Sequence, residues 1–571
     1  MKFFVVCPRG LEGPLHDELN RIISEALNSQ HAPLKETMRS AIVGELPLKP
    51  TGGIECSGSL ALAMILNLQS RVASRILLQV FYSTYKQEED IYQVARKIAW
   101  EDWFNPDQTL RVDVTAQRSN LTSLNFVTLR IKDAICDRFR EITGSRPTIE
   151  TATPDVRVMA FLDATHITLY IDTSGEPLFK RGWRDEKGAA PLKENLAAGI
   201  LALTGWQPEQ PLFDPMCGSG TILIEAAQIA KRIAPGVIRA GILGSSIDLN
   251  QVNQLLPSMA QTQLDNLNEV EKTEKSYKEL TEPDQVTSKD SLQNNSSNSV
   301  WQAPILVETG KPLVSVSNPP LVKKRVDQIE RAENSLDDRK KNQKDLRKDS
   351  VALYKPSRVD LVNTIQGFGF SRLRPFQENT QLELWQLMKE DASQLMQQYE
   401  ATPLFISGSD INEQMVAICK RNWQKAYLPG TPSIVQIDAL QVKAPNLEAG
   451  KTGIIIFNPP YGERLEIKGG GKGVDDPERK QRGARDPLPK NISDPEFVDF
   501  LVQFGRHLKD RFDGWQMDIL TADMGLAGQL RMKETKRTPL FNGAIECRLF
   551  RFQIRKVRES SLNVNKDGLV D

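Results

Sequence analysis

Apolar side chains repeat with two different periods between residues 110 and 175. Residues 110–118, 156–162 and 167–171 place an apolar side chain at about every second position, as half-buried β-strands do. Residues 123–144 repeat apolar side chains at helical spacing and end on a glycine, a common helix terminator. The pattern predicts a compact α+β unit with one helix and three strands.

Beyond Ala190 the pattern changes to strands that alternate with helices, which is typical of a parallel α/β sheet. The predicted helices are PLKENLAAGILALTG from Pro191, TILIEAAQIAKRIAPG, NEQMVAICKRNWQKA and DPEFVDFLVQFGRHLKDRF. The predicted strands are LFDP, PLFISGSD, SIVQID, GIIIF, WQMDILTA and ECRLFRFQI. The expected fold class is therefore α/β, preceded by the α+β unit.

Two polar segments interrupt this order. Residues 250–350 are rich in Gln, Asn, Ser, Lys, Glu and Asp, a composition that buries too little apolar area to offset its ordering entropy. We expect a disordered or loosely helical insertion there, because strands of one sheet occur on both sides. Residues 466–492 are rich in Gly, Lys and Arg and predict a solvated loop, with a flexible lid as the alternative. Residues 559–571 are expected to be a disordered tail.

Composition narrows the class of protein. The chain has 571 residues, 40% of them hydrophobic and 26% charged, as in globular proteins, and this length suggests about three or four domains. We expect a cytoplasmic protein, because no apolar run approaches bilayer length and MKFFVVCPRG fits a first strand better than a signal peptide. The 73 basic and 73 acidic residues cancel, so a nucleic-acid surface would have to be a local patch. The six scattered cysteines form no CxxC pair, which supports neither a zinc site nor a disulfide framework.

A carboxylate and two glycines lie at a predicted strand-to-helix turn, FDPMCGSGT (213–221). Gly218 and Gly220 would let a ligand approach the backbone, and amides at the start of the helix can hydrogen-bond it. The spacing is not that of the dinucleotide fingerprint G-x-G-x-x-G, and the turn lacks the P-loop lysine. This turn is a candidate ligand loop that includes Asp214, Met216 and Thr221; a tight structural turn is the alternative.

Two further acids end predicted strands. Asp410, in GSDIN, occupies a position where an acid commonly accepts hydrogen bonds from ribose hydroxyls, although it could instead be the N-cap of the following helix. Asp438 ends SIVQID. With Asp214 these acids would line the edge at which open α/β sheets bind ligands, which predicts a nucleoside site.

The apolar strand GIIIF runs directly into Asn458-Pro459-Pro460-Tyr461. Because the prolines fix the backbone, the Asn458 side-chain oxygen and the Pro459 carbonyl can both accept hydrogen bonds from one amino group, and Tyr461 offers a flat face for a planar ring. The stretch predicts a holder for an aromatic amine, in which alignment with a reactive alkyl donor makes a strong base unnecessary. Asn318-Pro319-Pro320 repeats three of the letters inside the polar insertion without strand or tyrosine, and we expect no function there.

The motifs DPMCGSGT, GSDIN, the Asp438 strand end and NPPYGERL, in this order, resemble S-adenosylmethionine-dependent class I methyltransferases that act on exocyclic amines. Within that class the chain resembles the bacterial 23S rRNA guanine-N2 methyltransferases that carry an N-terminal THUMP domain. The more specific similarity lies in DTSGEPLFKRGWR, PLKENLAAGIL, GFGFSRL and FNGAIECRLFRF, since NPPY alone is shared with DNA amino- and protein glutamine methyltransferases.

The resemblance implies a domain order. Residues 1–50 would be a ferredoxin-like segment, 51–175 a THUMP RNA-binding domain and 176–190 a linker. Residues 191–558 would form a Rossmann-like class I methyltransferase domain, interrupted by the two polar segments. Some members of the family carry a second methyltransferase that produces a guanine-N7 product; with one complete motif set, this sequence predicts the N2 activity alone.

The resemblance also implies roles for the motif residues. The loop with Asp214, Met216, Gly218, Gly220 and Thr221 would hold the methionine part of S-adenosylmethionine, Asp410 the ribose and Asp438 the adenine amine. The four residues Asn458, Pro459, Pro460 and Tyr461 would hold a guanine flipped out of its stack. No metal is implied.

The implied partner is 23S rRNA or a large-subunit assembly intermediate, methylated on N2 of a guanine. Lys180, Arg181 and Arg184 are candidates for phosphate contacts, with a solvated basic linker as the alternative. Two other functions stay open at this point. One is amine methylation of another substrate, such as a tRNA guanine or a DNA adenine; the other is a non-catalytic RNA-binding ribosome assembly factor.

Overall fold

The computed structural model of the chain describes residues 1–49, 51–184, 192–243, 367–444, 452–459, 495–543 and 545–556. The segments predicted at 250–350, 466–492 and 559–571 lie outside the described residues, as do Pro460, Tyr461 and most of the second half of the expected linker. Within the described ranges, no helix has both the length and the apolar character required to cross a bilayer.

The N-terminal part forms one sheet covered by helices. Its strands are β1 (Lys2–Val6), β2 (Ile42–Val43), β3 (Gly53–Ser57), β4 (Arg75–Thr84), β5 (Thr109–Ala116), β6 (Thr148–Ile149), β7 (Val156–Leu162) and β8 (His166–Asp172). They lie side by side in the order β2-β3-β1-β4-β8-β7-β5-β6. The helices are α1 (Glu12–Leu27), α2 (Ala32–Met38), α3 (Leu60–Gln69), α4 (Glu88–Lys97) and α5 (Leu124–Thr143), with a 3-10 turn at Trp100–Asp102.

The helix and three strands predicted from apolar spacing are confirmed as α5, β5, β7 and β8. Val158, Ala160 and Leu162 are buried, whereas the residues between them are partly or fully exposed, so the period of two does mark one covered face. The sheet, however, runs across the boundary expected at residue 50. β1 pairs antiparallel with both β3 and β4, so residues on the two sides of that boundary share one sheet.

The C-terminal part forms a second sheet. Its strands are β9 (Leu212–Asp214), β10 (Ile406–Asp410), β11 (Ser433–Gln436), β12 (Ile454–Phe457), β13 (Gln516–Thr521), β14 (Glu534–Asn542) and β15 (Ile545–Gln553). The order is β11-β10-β9-β12-β13-β15-β14. The first five of these run parallel, and β15 is antiparallel to β13 and β14.

Helices cover the second sheet on both faces. The helices of this part are α6 (Glu194–Thr204), α7 (Thr221–Ala230), α8 (Asn379–Gln398), α9 (Glu413–Lys425), α10 (Pro495–Arg511) and α11 (Leu526–Gln529), with 3-10 turns at Gly369–Arg372 and Arg374–Gln377. Of these, α8 packs against α2 and α3 of the N-terminal part. Ile454 and Ile456 pack into one apolar core, and Ile455 and Phe457 into the other. An uninterrupted apolar run is what a strand covered on both faces requires, which explains GIIIF.

Several elements differ from the prediction, and α8 and α11 have no counterpart in it. The helix after the glycine loop ends at Ala230 rather than near Gly236, because the chain turns there and Arg232 adopts φ 54°. The strand β14 was not expected, since its sequence ETKRTPLFN is mostly polar; only Leu540 of it is buried. It is an edge strand, where polar side chains face solvent and limit association with other sheets.

Candidate active site

Four predicted site residues lie at the ends of four neighbouring strands. Asp214 and Asp410 are the last residues of β9 and β10, Asn458 directly follows β12, and Asp438 lies two residues after β11. These strands are adjacent in the order β11-β10-β9-β12 and parallel, so all four residues reach the same edge of the sheet. With strands about 4.8 Å apart, the row spans roughly 14 Å.

Two carboxylates hold the glycine loop between β9 and α7. The Asp214 Oδ1 accepts a hydrogen bond from the Met216 amide at 3.0 Å, and the Asp410 Oδ2 accepts one from the Gly218 amide at 2.9 Å. The second bond joins the loop to the neighbouring strand. The loop is thus held in shape by the acids at the strand ends.

Asp214 is 2% exposed, and its charge has little compensation. Burial raises the pKa of this carboxyl well above its ordinary value; the nearby Asp410 charge adds to the increase, and the Met216 amide opposes it. A cationic group placed beside Asp214 would favour the ionised form and reverse this change.

Asp410 and Asp438 are half-buried at the edge of the sheet. The second oxygen of Asp410 accepts a hydrogen bond from the Asn412 amide at 2.9 Å, and Asp438 accepts one from the Leu440 amide at 2.9 Å. The N-cap of α9 is Asn412, whose side chain accepts hydrogen bonds from two backbone amides. Asp410 therefore does not serve as the N-cap, and that alternative is removed.

The two loop glycines have different surroundings. Both have positive φ, 53° at Gly218 and 83° at Gly220. A Cβ on Gly218 would meet nothing within 4 Å, whereas one on Gly220 would lie 2.1 Å from the Cys419 Sγ. Gly218 thus borders open space that a ligand can enter, and Gly220 is required for packing between the loop and α9.

Cys419 was not identified from the sequence as a neighbour of the site. Its spacing with Val416 and Trp423 marks the buried face of α9, and all three are buried. The pattern indicates the buried face of the helix, but it cannot show which residue of another element lies against it.

The structure describes only Asn458 and Pro459 of the predicted amine holder. Asn458 is half-buried at the strand end, and Pro459 is buried. All four residues of β12 are buried, 2% exposed or less, so the backbone that carries Asn458 has a fixed base. Pro460 and Tyr461 lie outside the described residues.

Of the three basic residues proposed for phosphate contacts, only Lys180 is exposed, and it pairs with Glu176. Arg184 forms an ion pair with Glu194 at 2.9 Å and donates to the Thr221 hydroxyl at 2.6 Å. Its side chain is 7% exposed, and it fixes the first residue of α7 rather than facing solvent.

Arg181 is 2% exposed and belongs to a buried ionic cluster. Glu225 of α7, fully buried, accepts from Arg181 at 3.2 Å and from Arg71 at 3.2 Å. Burial lowers the pKa of Arg71 to about 10, which leaves it charged at neutral pH. The burial of Arg181 and Arg184 argues against the predicted phosphate contacts. Arg181 joins the N-terminal part to the second sheet through Arg71 and Glu225, whereas Arg184 contacts α6 and α7.

Family models match both parts of the chain. Residues 85–172 match the THUMP domain, and residues 181–311 and 362–472 match the RMKL-like methyltransferase domain. The two matches correspond to the last part of the first sheet and to the segment with the site.

Several relatives that match the chain carry the same name. The Ribosomal RNA large subunit methyltransferase K/L of Psychromonas ingrahamii is 27% identical over 92% of this chain and 49% of its own length. That of Methylococcus capsulatus is 26% identical over 97% of this chain and 52% of its own, and that of Cellvibrio japonicus is 40% identical over 44% and 32%. The chain spans about half the length of the curated relatives it matches.

Solved structures share the fold. SMU.472 in complex with SAH has a TM-score of 0.59 at 19% identity and covers 98% of this chain and 99% of its own. A protein from Clostridium difficile 630 has a TM-score of 0.57 at 18% identity, with 97% and 98% covered. The predicted fold class is confirmed: the chain has the α/β methyltransferase fold, and the segment that precedes it contains the match to the THUMP domain.

Proposed function

We propose that this chain transfers a methyl group from S-adenosylmethionine to the exocyclic amine N2 of a guanine in 23S rRNA. The observation that carries the proposal is the row of Asp438, Asp410, Asp214 and Asn458 on four adjacent strand ends. The name of the relatives, which states a large-subunit ribosomal RNA substrate for them, supports the choice of RNA.

The residues at the edge fit the donor. When bound, S-adenosylmethionine would supply an electrophilic methyl group. The open space over Gly218 admits a ligand to the loop backbone, and Asp214 offers a buried carboxylate to the ammonium group of the methionine part. Asp410 retains lone pairs for ribose hydroxyls after bonding two amides, and Asp438 retains an oxygen for the adenine amine.

The acceptor end of the row selects an amine. The Asn458 side-chain oxygen and the Pro459 carbonyl would accept the two hydrogens of one amino group and so direct the nitrogen lone pair away from both. Guanine N7 carries no hydrogen, so two acceptors facing it would repel its lone pair. This argument favours N2 over N7 in the same base.

Little acid–base chemistry is required of the protein. The nitrogen acquires a positive charge as the methyl group is transferred, and two oxygen acceptors stabilise that charge. The methyl–sulfur bond would break as the nitrogen–methyl bond forms, so S-adenosylhomocysteine is the leaving group. The methylated nitrogen, now a strong acid, releases its extra proton to water afterwards. Positioning therefore dominates, and the rigid strand β12 supplies it through Asn458.

The pKa of Asp214 predicts a pH dependence of donor binding. Binding of an ammonium group favours the ionised carboxyl, so the affinity for S-adenosylhomocysteine is expected to increase as pH rises from the ordinary aspartate pKa through the raised one. The ligand-free protein should lose stability over the same window, because the folded state holds this proton more tightly than the unfolded state. Calorimetric titrations at a series of pH values measure the first effect and thermal unfolding the second.

Asp214→Asn is the matched control. It removes the titrating group, so both pH dependences should become flat, with higher stability and weaker binding at the alkaline end. An affinity that falls with pH in the unmodified protein would contradict this role of Asp214.

The direct test gives the purified chain labelled S-adenosylmethionine with unmodified 23S rRNA and, separately, tRNA, followed by nucleoside analysis. We expect label in N2-methylguanosine from 23S rRNA alone. Label from tRNA would move the activity to the alternative substrate. RNA binding without any label would favour a non-catalytic assembly factor, and label in N7 would overturn the argument from the two acceptors.

A further inference from the structure

The strand β14 ends at the same edge of the second sheet as the candidate site residues. This strand is antiparallel to β15, which is antiparallel to β13, and β13 is parallel to β12. β14 therefore runs parallel to β12, and its last residues, Phe541 and Asn542, lie at the same edge as Asn458. Three strand spacings separate β14 from β12, roughly 14 Å across the sheet.

An arginine of the N-terminal part lies against this strand end. The Arg9 guanidinium carbon is 5.3 Å from the centre of the Phe541 ring, within cation–π distance. Arg9 is exposed, and across the described ranges no carboxylate lies within ion-pair distance of it. It differs in this from Arg71, Arg181 and Arg184, which are buried and neutralised by acids.

The loop that carries Arg9 is fixed on the methyltransferase domain. Gly10 has φ 93°, and a Cβ on it would lie 2.4 Å from the Pro539 carbonyl oxygen of β14. Leu11 is fully buried and lies so close to α6 that a Cβ on Gly199 would be 2.3 Å from its Cδ1. The residues after Arg9 thus contact both β14 and α6, which sets its position relative to the catalytic edge.

Glu12 stabilises the conformation of the loop that carries Arg9. Glu12 is buried, and its two oxygens accept the amides of Gly10 at 2.8 Å and Gly52 at 2.9 Å. A buried carboxylate that accepts two backbone amides holds the loop without contact to solvent. Arg9 is therefore an exposed cation on a rigid support.

We propose that Arg9, seated on Phe541, binds a phosphate of the substrate RNA beside the target guanine. This inference rests on the proposed function and adds a contact made jointly by the N-terminal part and the methyltransferase domain. A guanidinium with one face on an aromatic ring keeps its edge donors free, and these match the oxygens of a phosphate. The overall charge of the chain is zero, so a cation beside the site that has no acidic partner among the described residues is the kind of local feature that RNA binding requires.

Arg9→Ala tests the contact by the salt dependence of binding to a 23S rRNA fragment. Loss of one phosphate contact should weaken affinity about fivefold at moderate salt and reduce the slope of log Kd against log salt by about 0.7–0.9. Arg9→Lys keeps the charge and should keep the slope. Arg39→Ala removes an exposed arginine that pairs with Glu36 and should change neither quantity.

Phe541→Leu tests the aromatic support. It keeps apolar volume but removes the ring, so RNA affinity should fall in the same direction, and the variant Arg9→Ala/Phe541→Leu should bind no more weakly than Arg9→Ala alone. Unchanged affinity and slope in Arg9→Ala would overturn the proposal. Equal losses of RNA and S-adenosylhomocysteine affinity would also overturn it, because they would assign Arg9 a purely structural role.

The two proposals fail in different measurements. If the unmodified chain labels no guanine N2, the proposed function is lost, whereas the salt slope of Arg9→Ala still decides the phosphate contact. If the unmodified chain methylates rRNA and Arg9→Ala binds it with the same slope, the phosphate contact alone is lost.

Discussion

Asn458→Ala is expected to reduce methyl transfer by about a thousandfold while the affinity for S-adenosylhomocysteine stays within about twofold of the unmodified chain. Under the proposed function, the variant removes one of the two acceptors that would hold the amine, and alanine neither strains the strand end nor reaches the glycine loop. Initial rates with labelled donor measure the first quantity and calorimetry the second.

The chain contains a matched control for this variant. Asn318→Ala changes the asparagine of the other Asn-Pro-Pro, which has no tyrosine after it, and should leave both quantities unchanged. Loss of donor affinity in Asn458→Ala would show that the motif contacts the donor rather than the base.

Gly220→Ala is expected to destabilise the fold by about 3 kcal/mol and to weaken donor binding at least tenfold. The added Cβ would lie 2.1 Å from the Cys419 Sγ, and φ 83° is strained for any L side chain. The loop must then move away from α9, taking the Gly218 amide from Asp410. Thermal unfolding and titration with S-adenosylhomocysteine measure the two effects.

Two variants separate the clash from the backbone strain. Gly220→Ala/Cys419→Ala removes the sulfur and should recover part of the stability, leaving the strain of the positive φ. Gly218→Ala has positive φ but open space around the Cβ, so it should lose donor affinity with a smaller loss of stability. Equal stability of Gly218→Ala and Gly220→Ala would contradict the packing argument.

The row of site residues could be predicted because each signal is local. A carboxylate or amide directly after an apolar strand marks a strand end, and parallel strands bring their ends to one edge. Asp214, Asp410, Asp438 and Asn458 each follow this pattern, and no knowledge of strand order was needed to place them together.

The features that were missed depend on contacts between distant segments. Sequence spacing could not show that β1 would lie between β3 and β4, or that the polar strand β14 would pair with β15. Arg181 lies in a basic segment, as RNA-contacting residues often do. Only the position of Glu225 in the fold shows that its charge is neutralised inside the protein. A charged residue in a basic segment therefore indicates RNA binding only if no acid of another element reaches it.

The buried cluster of Arg71, Glu225 and Arg181 has a consequence for how a substrate is selected. Breaking a buried ion pair costs about 3–5 kcal/mol, so the N-terminal part cannot rotate relative to the second sheet without leaving a charge unpaired. Under the proposed function, this would keep the RNA contact of the N-terminal part and the methylation site at a constant separation. A guanine would be chosen by its distance from an anchoring element in the folded RNA as much as by the bases beside it.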